Sequence, residues 1–114
     1  MKKYSLSLLS ATFLLAVAGM APAHAAFDAE TAQALAKKND CFKCHAIDKT
    51  KKGPSFKKIS AKYKGKPEGQ EKAIKNMTAG EKVKLEDGTE EDHKIIDTKD
   101  QKELKNLADW ILSH

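Results

Sequence analysis

The chain falls into three zones of different pattern. Residues 6–20 form an almost unbroken apolar stretch, introduced by Met1-Lys2-Lys3-Tyr4 and followed by the small-x-small triplet Ala23-His24-Ala25. A basic start, an apolar centre and a small-residue exit are the marks of a secretory leader. Its 15 residues, with scattered Ser and Thr among them, fall short of the roughly 20 that a helix needs to cross a bilayer. The pattern predicts a cleaved leader over 1–25 and a domain over 26–114, exported to the periplasm.

Beyond the leader, apolar positions recur at three- and four-residue spacing, which is the period of a helix. Asp28 caps a first helix reaching about Lys38, with Ala32, Leu35 and Ala36 on one side and Phe27 in the place of a hydrophobic staple. Asn39-Asp40 breaks it. A lysine-rich loop over 46–52 closes at Gly53-Pro54, and Phe56, Ile59 and Tyr63 then mark a second helix. A third, over about 68–79, carries Ala73, Ile74 and Met77 on one face and stops at Gly80. Residues 81–97 read as loop, with one hairpin-like turn at Asp87-Gly88 and an acidic run Glu90-Glu91-Asp92. The last helix has the clearest stripe, Leu104, Leu107, Ala108, Ile111 and Leu112, with a capping-box form at Thr98-Lys99-Asp100-Gln101 and Trp110 on the stripe's flank. The fold class expected is all-α.

Length now matters. Without its leader the chain has about 89 of its 114 residues, and a domain that small buries too little surface to dispense with a staple. The only cysteines, Cys41 and Cys44, are too close in sequence for a disulfide between them to hold much of the fold. With His45 they read Cys41-Phe42-Lys43-Cys44-His45, the C-x-x-C-H pattern of covalent c-type haem attachment. Two thiols at this spacing reach the two vinyl groups on one porphyrin edge, while the next imidazole turns under the ring to meet the iron. The wrapped macrocycle then supplies the core that the chain lacks. Two rivals share these residues: a thiol redox pair, which expects a βαβ context, and a zinc site, for which only Cys41, Cys44, His45, His93 and His114 could serve as soft or imidazole donors after the leader.

With this motif after a first helix, Gly53-Pro54 some ten residues on, and an amphipathic last helix bearing an aromatic, the chain resembles the small bacterial class I cytochromes c over about residues 27–114. The resemblance implies three to four short helices around one covalent haem c. It implies thioethers at Cys41 and Cys44, His45 as the proximal ligand, and the Pro54 carbonyl as acceptor from the other imidazole nitrogen, a contact that raises the ligand's basicity. The family usually supplies a Met from the loop before the last helix, and this loop has none. His93 stands at about that position, 17 residues before Trp110, and is the expected distal ligand; Met77, 33 residues before Trp110, is the alternative. Two imidazoles would favour ferric iron and give a lower-potential carrier than Met/His ligation. A soluble electron carrier, not an enzyme, is the expected function; a haem module that binds or senses a small gas, with a weak or absent distal ligand, is the alternative.

Charge bears on partners. All 21 basic residues are Lys. From Ala26 to Lys75 there are 13 Lys against 6 acids, a balance of +7, while from Asn76 to His114 there are 6 Lys against 10 acids, a balance of −4. Lys43, Lys49, Lys51, Lys52, Lys57 and Lys58 surround the attachment segment and suit an acidic redox partner docking at the haem edge. The leader and the acidic second half argue against nucleic acid as a partner, and a cleaved leader leaves no segment for stable membrane insertion.

Overall fold

The computed structural model describes residues 27–114, so the leader expected over 1–25 lies outside the described residues. Helix α1 (Ala29–Lys38) begins where the Asp28 carboxylate accepts from the Thr31 N–H at 3.1 Å, and it ends at Asn39. Phe27 is exposed rather than stapled. The entry of α1 is instead tied to the far end of the chain: Asp28 N–H donates to Asn106 Oδ1 at 2.7 Å, and Asn106 Nδ2 returns a bond to the Asp28 carbonyl at 3.0 Å.

A single helical turn, α2 (Cys41–Cys44), follows, then α3 (Phe56–Tyr63), capped by Ser55, and α4 (Gly69–Thr78). Gly80, just past α4, has φ 64, the left-handed conformation in which a glycine closes a helix most easily. The stretch read as loop with a turn contains a small antiparallel hairpin, β1 (Lys82–Lys84) and β2 (Glu90–Asp92), with Lys82 opposite Asp92 and Lys84 opposite Glu90. Gly88, at φ 85, makes the turn, and Asp87 Oδ1 accepts from the Thr89 N–H and hydroxyl.

The last helix, α5 (Gln101–Ile111), is capped by Asp100 rather than by a box built on Thr98; the Asp100 carboxylate accepts from Lys102 N–H at 2.9 Å. Thr98 bonds the Glu103 carboxylate instead. Leu104, Leu107, Ala108 and Ile111 are buried as their stripe predicts. Trp110 is buried as well, because α3 and the attachment segment bring Phe56 and Phe42 against its edge. Helix α1 packs chiefly on α5, presenting Ala32 and Ala36, whose small side chains permit close approach. Ile96, from the segment between β2 and α5, completes the same core cluster. The architecture is thus four helices of eight or more residues around one core, with the one-turn α2 and the hairpin on its periphery. Among the described residues no helix is long and apolar enough to cross a membrane.

Candidate functional site

Asn39 and Asp40 do more than break a helix. Asp40 takes the left-handed conformation, φ 59, which Asp tolerates better than most residues, and this reversal starts α2 in a new direction. Within one helical turn residues three apart share a face. Cys41 and Cys44 therefore share one, both as half-buried free thiols. Burial pushes the Cys41 thiol above its ordinary range. His45 leaves the turn in an extended conformation while its N–H still closes on the Cys41 carbonyl at 2.9 Å.

The loop after His45 folds back over it. Gly53 N–H reaches the Cys44 carbonyl at 2.9 Å, Phe56 N–H the Ala46 carbonyl at 2.9 Å, and Lys51 Nζ the Phe42 carbonyl at 2.6 Å. This wrap sets the Pro54 carbonyl 2.6 Å from His45 Nδ1. A carbonyl only accepts, so Nδ1 is the protonated nitrogen and Nε2 keeps its lone pair. Burial holds the His45 pKa below the usual histidine range, with the Pro54 bond opposing and the neighbouring His93 adding to the depression. The ring is neutral near pH 7 and able to ligate. Gly53 is required here for space: a Cβ would stand 3.0 Å from His45 Cε1 and 3.3 Å from Nδ1.

Behind His45 lies an aromatic wall. Phe56 stacks on its ring at 5.4 Å between centroids and 25° between planes; Phe42 and Trp110 meet Phe56 edge-on at 5.9 and 5.4 Å. His114 stacks on Phe56 at 6.2 Å and meets Trp110 at 4.9 Å. His93 is a second neighbour of the His45 ring. Its ring centroid lies 6.2 Å from that of His45, with 42° between planes, and its Nδ1 lies 3.0 Å from the Lys94 carbonyl, which again leaves Nε2 for another partner. His93 comes from the segment directly after β2, where its N–H donates to the Glu81 carbonyl at 2.9 Å. Met77, on α4, is half-buried against the core cluster.

The structure thus brings Cys41, Cys44, His45, Pro54 and His93 to one locality. Phe42 as part of the wall, and Asn39 and Asp40 as anchors, carry no motif in the sequence; only their place directly before or inside C-x-x-C-H could have drawn notice. The rival sites gain no support. Among the described residues no three His, Cys, Asp or Glu side chains gather as a metal site, and the two short strands are paired in a hairpin, not in the βαβ unit of a thiol oxidoreductase. The donor set fits a covalently held metalloporphyrin: two thiols on one face, and a neutral imidazole fixed by its far nitrogen.

Comparison with known proteins agrees. The family model described as cytochrome c matches residues 29–114. A cytochrome c-551 of Azotobacter vinelandii is 33% identical over 85 residues, covering 75% of this chain and 99% of that protein. A cytochrome c-551 of Pseudomonas aeruginosa is 29% identical over 113 residues, covering 99% and 98%. Among solved structures, the class 1 cytochrome MtoD of Sideroxydans lithotrophicus ES-1 is 52% identical with a TM-score of 0.74, covering 77% of this chain and 97% of that one. Cytochrome c552 of Nitrosomonas europaea is 30% identical with a TM-score of 0.55, covering 71% and 96%. Sequence motif, helical wrap and relatives converge: the chain belongs to the cytochrome c family of electron carriers, with one covalently attached haem c as its cofactor.

Proposed function

We infer that the protein is a periplasmic, low-potential electron carrier whose haem is bound through Cys41 and Cys44 and ligated by His45 and His93. The observation that carries this reading is the 6.2 Å between the two imidazole centroids. An imidazole nitrogen sits about 2 Å from a bound metal, and with each ring's own half-width added, two rings sharing one ion lie roughly 6 Å apart. Both Nδ1 atoms are occupied by carbonyls, so both Nε2 atoms remain for that ion. Met77 is engaged in the core cluster, which favours packing over ligation.

The haem supplies a reversible one-electron couple. Protein groups do the rest. His45 and His93 would both hold the iron and leave it no position open to a substrate, which would suit outer-sphere transfer rather than catalysis at the metal. Pro54 strengthens the proximal imidazole as a donor and, with a second imidazole in place of a thioether, favours the ferric state. The partner surface is the lysine-rich loop. Among the described residues the lysines in ion pairs are Lys43, Lys72, Lys75, Lys82 and Lys94, which leaves Lys49, Lys52, Lys57 and Lys58 exposed and without an acidic partner. They suit an acidic redox protein.

The test compares oxidised and reduced spectra of the holoprotein with those of His93→Ala and Met77→Leu. The expected result is a low-spin, six-coordinate haem in both states, lost in His93→Ala and kept in Met77→Leu. The converse pattern overturns the His/His ligation, and immediate carbon monoxide binding by the unmodified ferrous protein overturns the carrier in favour of a gas-binding module.

A further inference from the structure

The distal segment, residues 93–97, is held at three backbone points. His93 N–H bonds the Glu81 carbonyl and Ile96 N–H the Met77 carbonyl, both at 2.9 Å, so one point belongs to the residue directly before β1 and one to the last turn of α4. The third is different in kind. Asp97 N–H donates to the side chain of Asn39 at 2.8 Å, across 58 residues of sequence. Asn39 stands two residues before Cys41. Next to it, the Asp40 carboxylate lies 3.4 Å from Lys94 Nζ, a link across 54 residues, and also 3.4 Å from Lys43 Nζ. The residues that launch the haem-attachment turn therefore grip the residues that follow His93.

Helix capping does not account for this. The end of α1 is already closed by main-chain bonds, Asn39 N–H to Leu35 O at 3.1 Å and Asp40 N–H to Lys37 O at 3.1 Å. Asn at a helix end normally keeps its amide in water, yet Asn39 is 3% exposed. A buried amide is costly unless both its ends are partnered. Here Nδ2 donates to Leu35 O at 2.9 Å, and the carbonyl oxygen is committed to Asp97. The bonds to Met77 and Glu81 set the segment against α4 and the hairpin; its hydrogen bonds toward the proximal motif run to the side chains of Asn39 and Asp40.

We propose that Asn39, assisted by Asp40, is a positioning residue for the distal ligand: it couples the His93 segment to the Cys41–His45 turn and so fixes how firmly the His93 imidazole holds its place opposite His45. The proposal rests on His93 being the distal ligand. Without the clamp the segment keeps its bonds to Met77 and Glu81 but gains freedom relative to the proximal ring, and His93 departs more often.

Carbon monoxide reads this directly. For it to bind ferrous haem, His93 Nε2 would have to give up its place on the iron to the carbon atom, an exchange of ligands with no change of oxidation state. At saturating gas the binding rate is the rate at which His93 leaves. Asn39→Ala removes both side-chain hydrogen bonds, of which the one from Asp97 bears on the distal segment, and is expected to raise that rate about five-fold, with the resting spectrum still low-spin. Asp40→Asn keeps a residue that tolerates the left-handed backbone and removes the charge; about a two-fold rise is expected at low salt, vanishing near 1 M salt. Ser60→Ala is the control. Its hydroxyl is fully buried and donates to Leu112 O at 2.8 Å across 52 residues, so its loss lowers the melting temperature without touching the distal segment.

An Asn39→Ala rate equal to wild type, with His93→Ala open to carbon monoxide, overturns the positioning role and leaves His93 as ligand. An equal rise in Ser60→Ala reduces the effect to general loosening and overturns it too. A wild-type rate in His93→Ala removes the ligand itself, and the clamp's role with it. If Asn39→Ala does not fold, Asp40→Asn decides, and an unchanged rate at low salt refutes the coupling.

Discussion

Gly53→Ala isolates the proximal half of the site. Gly53 is not among the residues with positive φ, so alanine brings no backbone strain there. The whole perturbation is one methyl group, 3.0 Å from His45 Cε1, 3.3 Å from Nδ1 and 3.4 Å from the Cys44 carbonyl. Carbon atoms rest at about 3.5–4.0 Å, so the ring must retreat by roughly 0.5 Å or tilt. Either motion strains the 2.6 Å bond from Nδ1 to Pro54 O, which is the contact that makes the imidazole a strong donor. A hydrogen bond contributes about 0.5–1.5 kcal/mol net, and losing about half of it between the two oxidation states corresponds to roughly 10–30 mV at 59 mV per tenfold. A weaker donor stabilises ferric iron less, so the potential rises.

The assay is potentiometric titration of the holoprotein, with the His45 Nδ1–H resonance followed by proton NMR. Gly88→Ala is the counterpart: no atom lies within 4 Å of a Cβ built there, but its φ of 85 disfavours any side chain. It is expected to lower stability by about 1 kcal/mol and leave the potential unchanged. An unchanged or lower potential in Gly53→Ala, or an equal shift in Gly88→Ala, would refute the account of Gly53 as the space-maker for a basic proximal imidazole.

Trp110→Ala should cost about 3–5 kcal/mol, because it removes the surface on which Phe42 and Phe56 meet; thermal unfolding by circular dichroism measures it, and a loss below about 1 kcal/mol would contradict the buried placement. The Asp28 carboxyl is held below its ordinary value of 3.8, first by the backbone bond from Thr31 and then by the Thr31 hydroxyl. A depressed carboxyl stabilises the fold above its unfolded pKa and ceases to as pH falls through the folded one. The melting-temperature gap between wild type and Asp28→Asn should therefore be widest near neutrality and close as pH falls below 3.8; a gap independent of pH would refute it. Reversing Lys57 and Lys58 to Glu should slow reduction of anionic ferricyanide by roughly ten-fold at low salt, much less at high salt, and leave a cationic cobalt(III) oxidant unslowed; equal effects on both probes would argue against an electrostatic docking face.

What the sequence could show follows from which interactions are local. The helices were legible because stripes such as Leu104, Leu107 and Ile111 repeat with the helical period, and C-x-x-C-H was legible because its chemistry fits inside five residues. Caps were partly legible: Asp28 acts where its type and position suggest, but at the last helix Asp100 competes with Thr98 and wins, being one residue before the first helical turn. Trp110 looked marginal because a stripe ranks positions against one helix, whereas its burial comes from Phe42 and Phe56, 68 and 54 residues earlier. The hairpin was visible only as a turn, since its strands are three residues each and nearly all exposed, with no apolar face to alternate. Asn39 was invisible as an anchor for the same reason as Trp110: its partner is 58 residues away.

The two halves of the site are built from different materials. His45 is backed by stacked aromatic rings, crossed by a glycine that leaves no slack, and tied to a main-chain carbonyl that no side-chain substitution deletes. His93 follows a solvent-exposed hairpin, and its segment is secured by Ile96 in the core and by hydrogen bonds of which one depends on a side chain. Dense apolar packing resists gradual adjustment, whereas a polar tether changes with a single atom. Substitutions at Asn39, or at exposed positions of the hairpin, therefore reach His93 without repacking the core to which Ile96 belongs. The His45 side is thus the one that resists change, and the His93 side is the one that a single substitution can adjust.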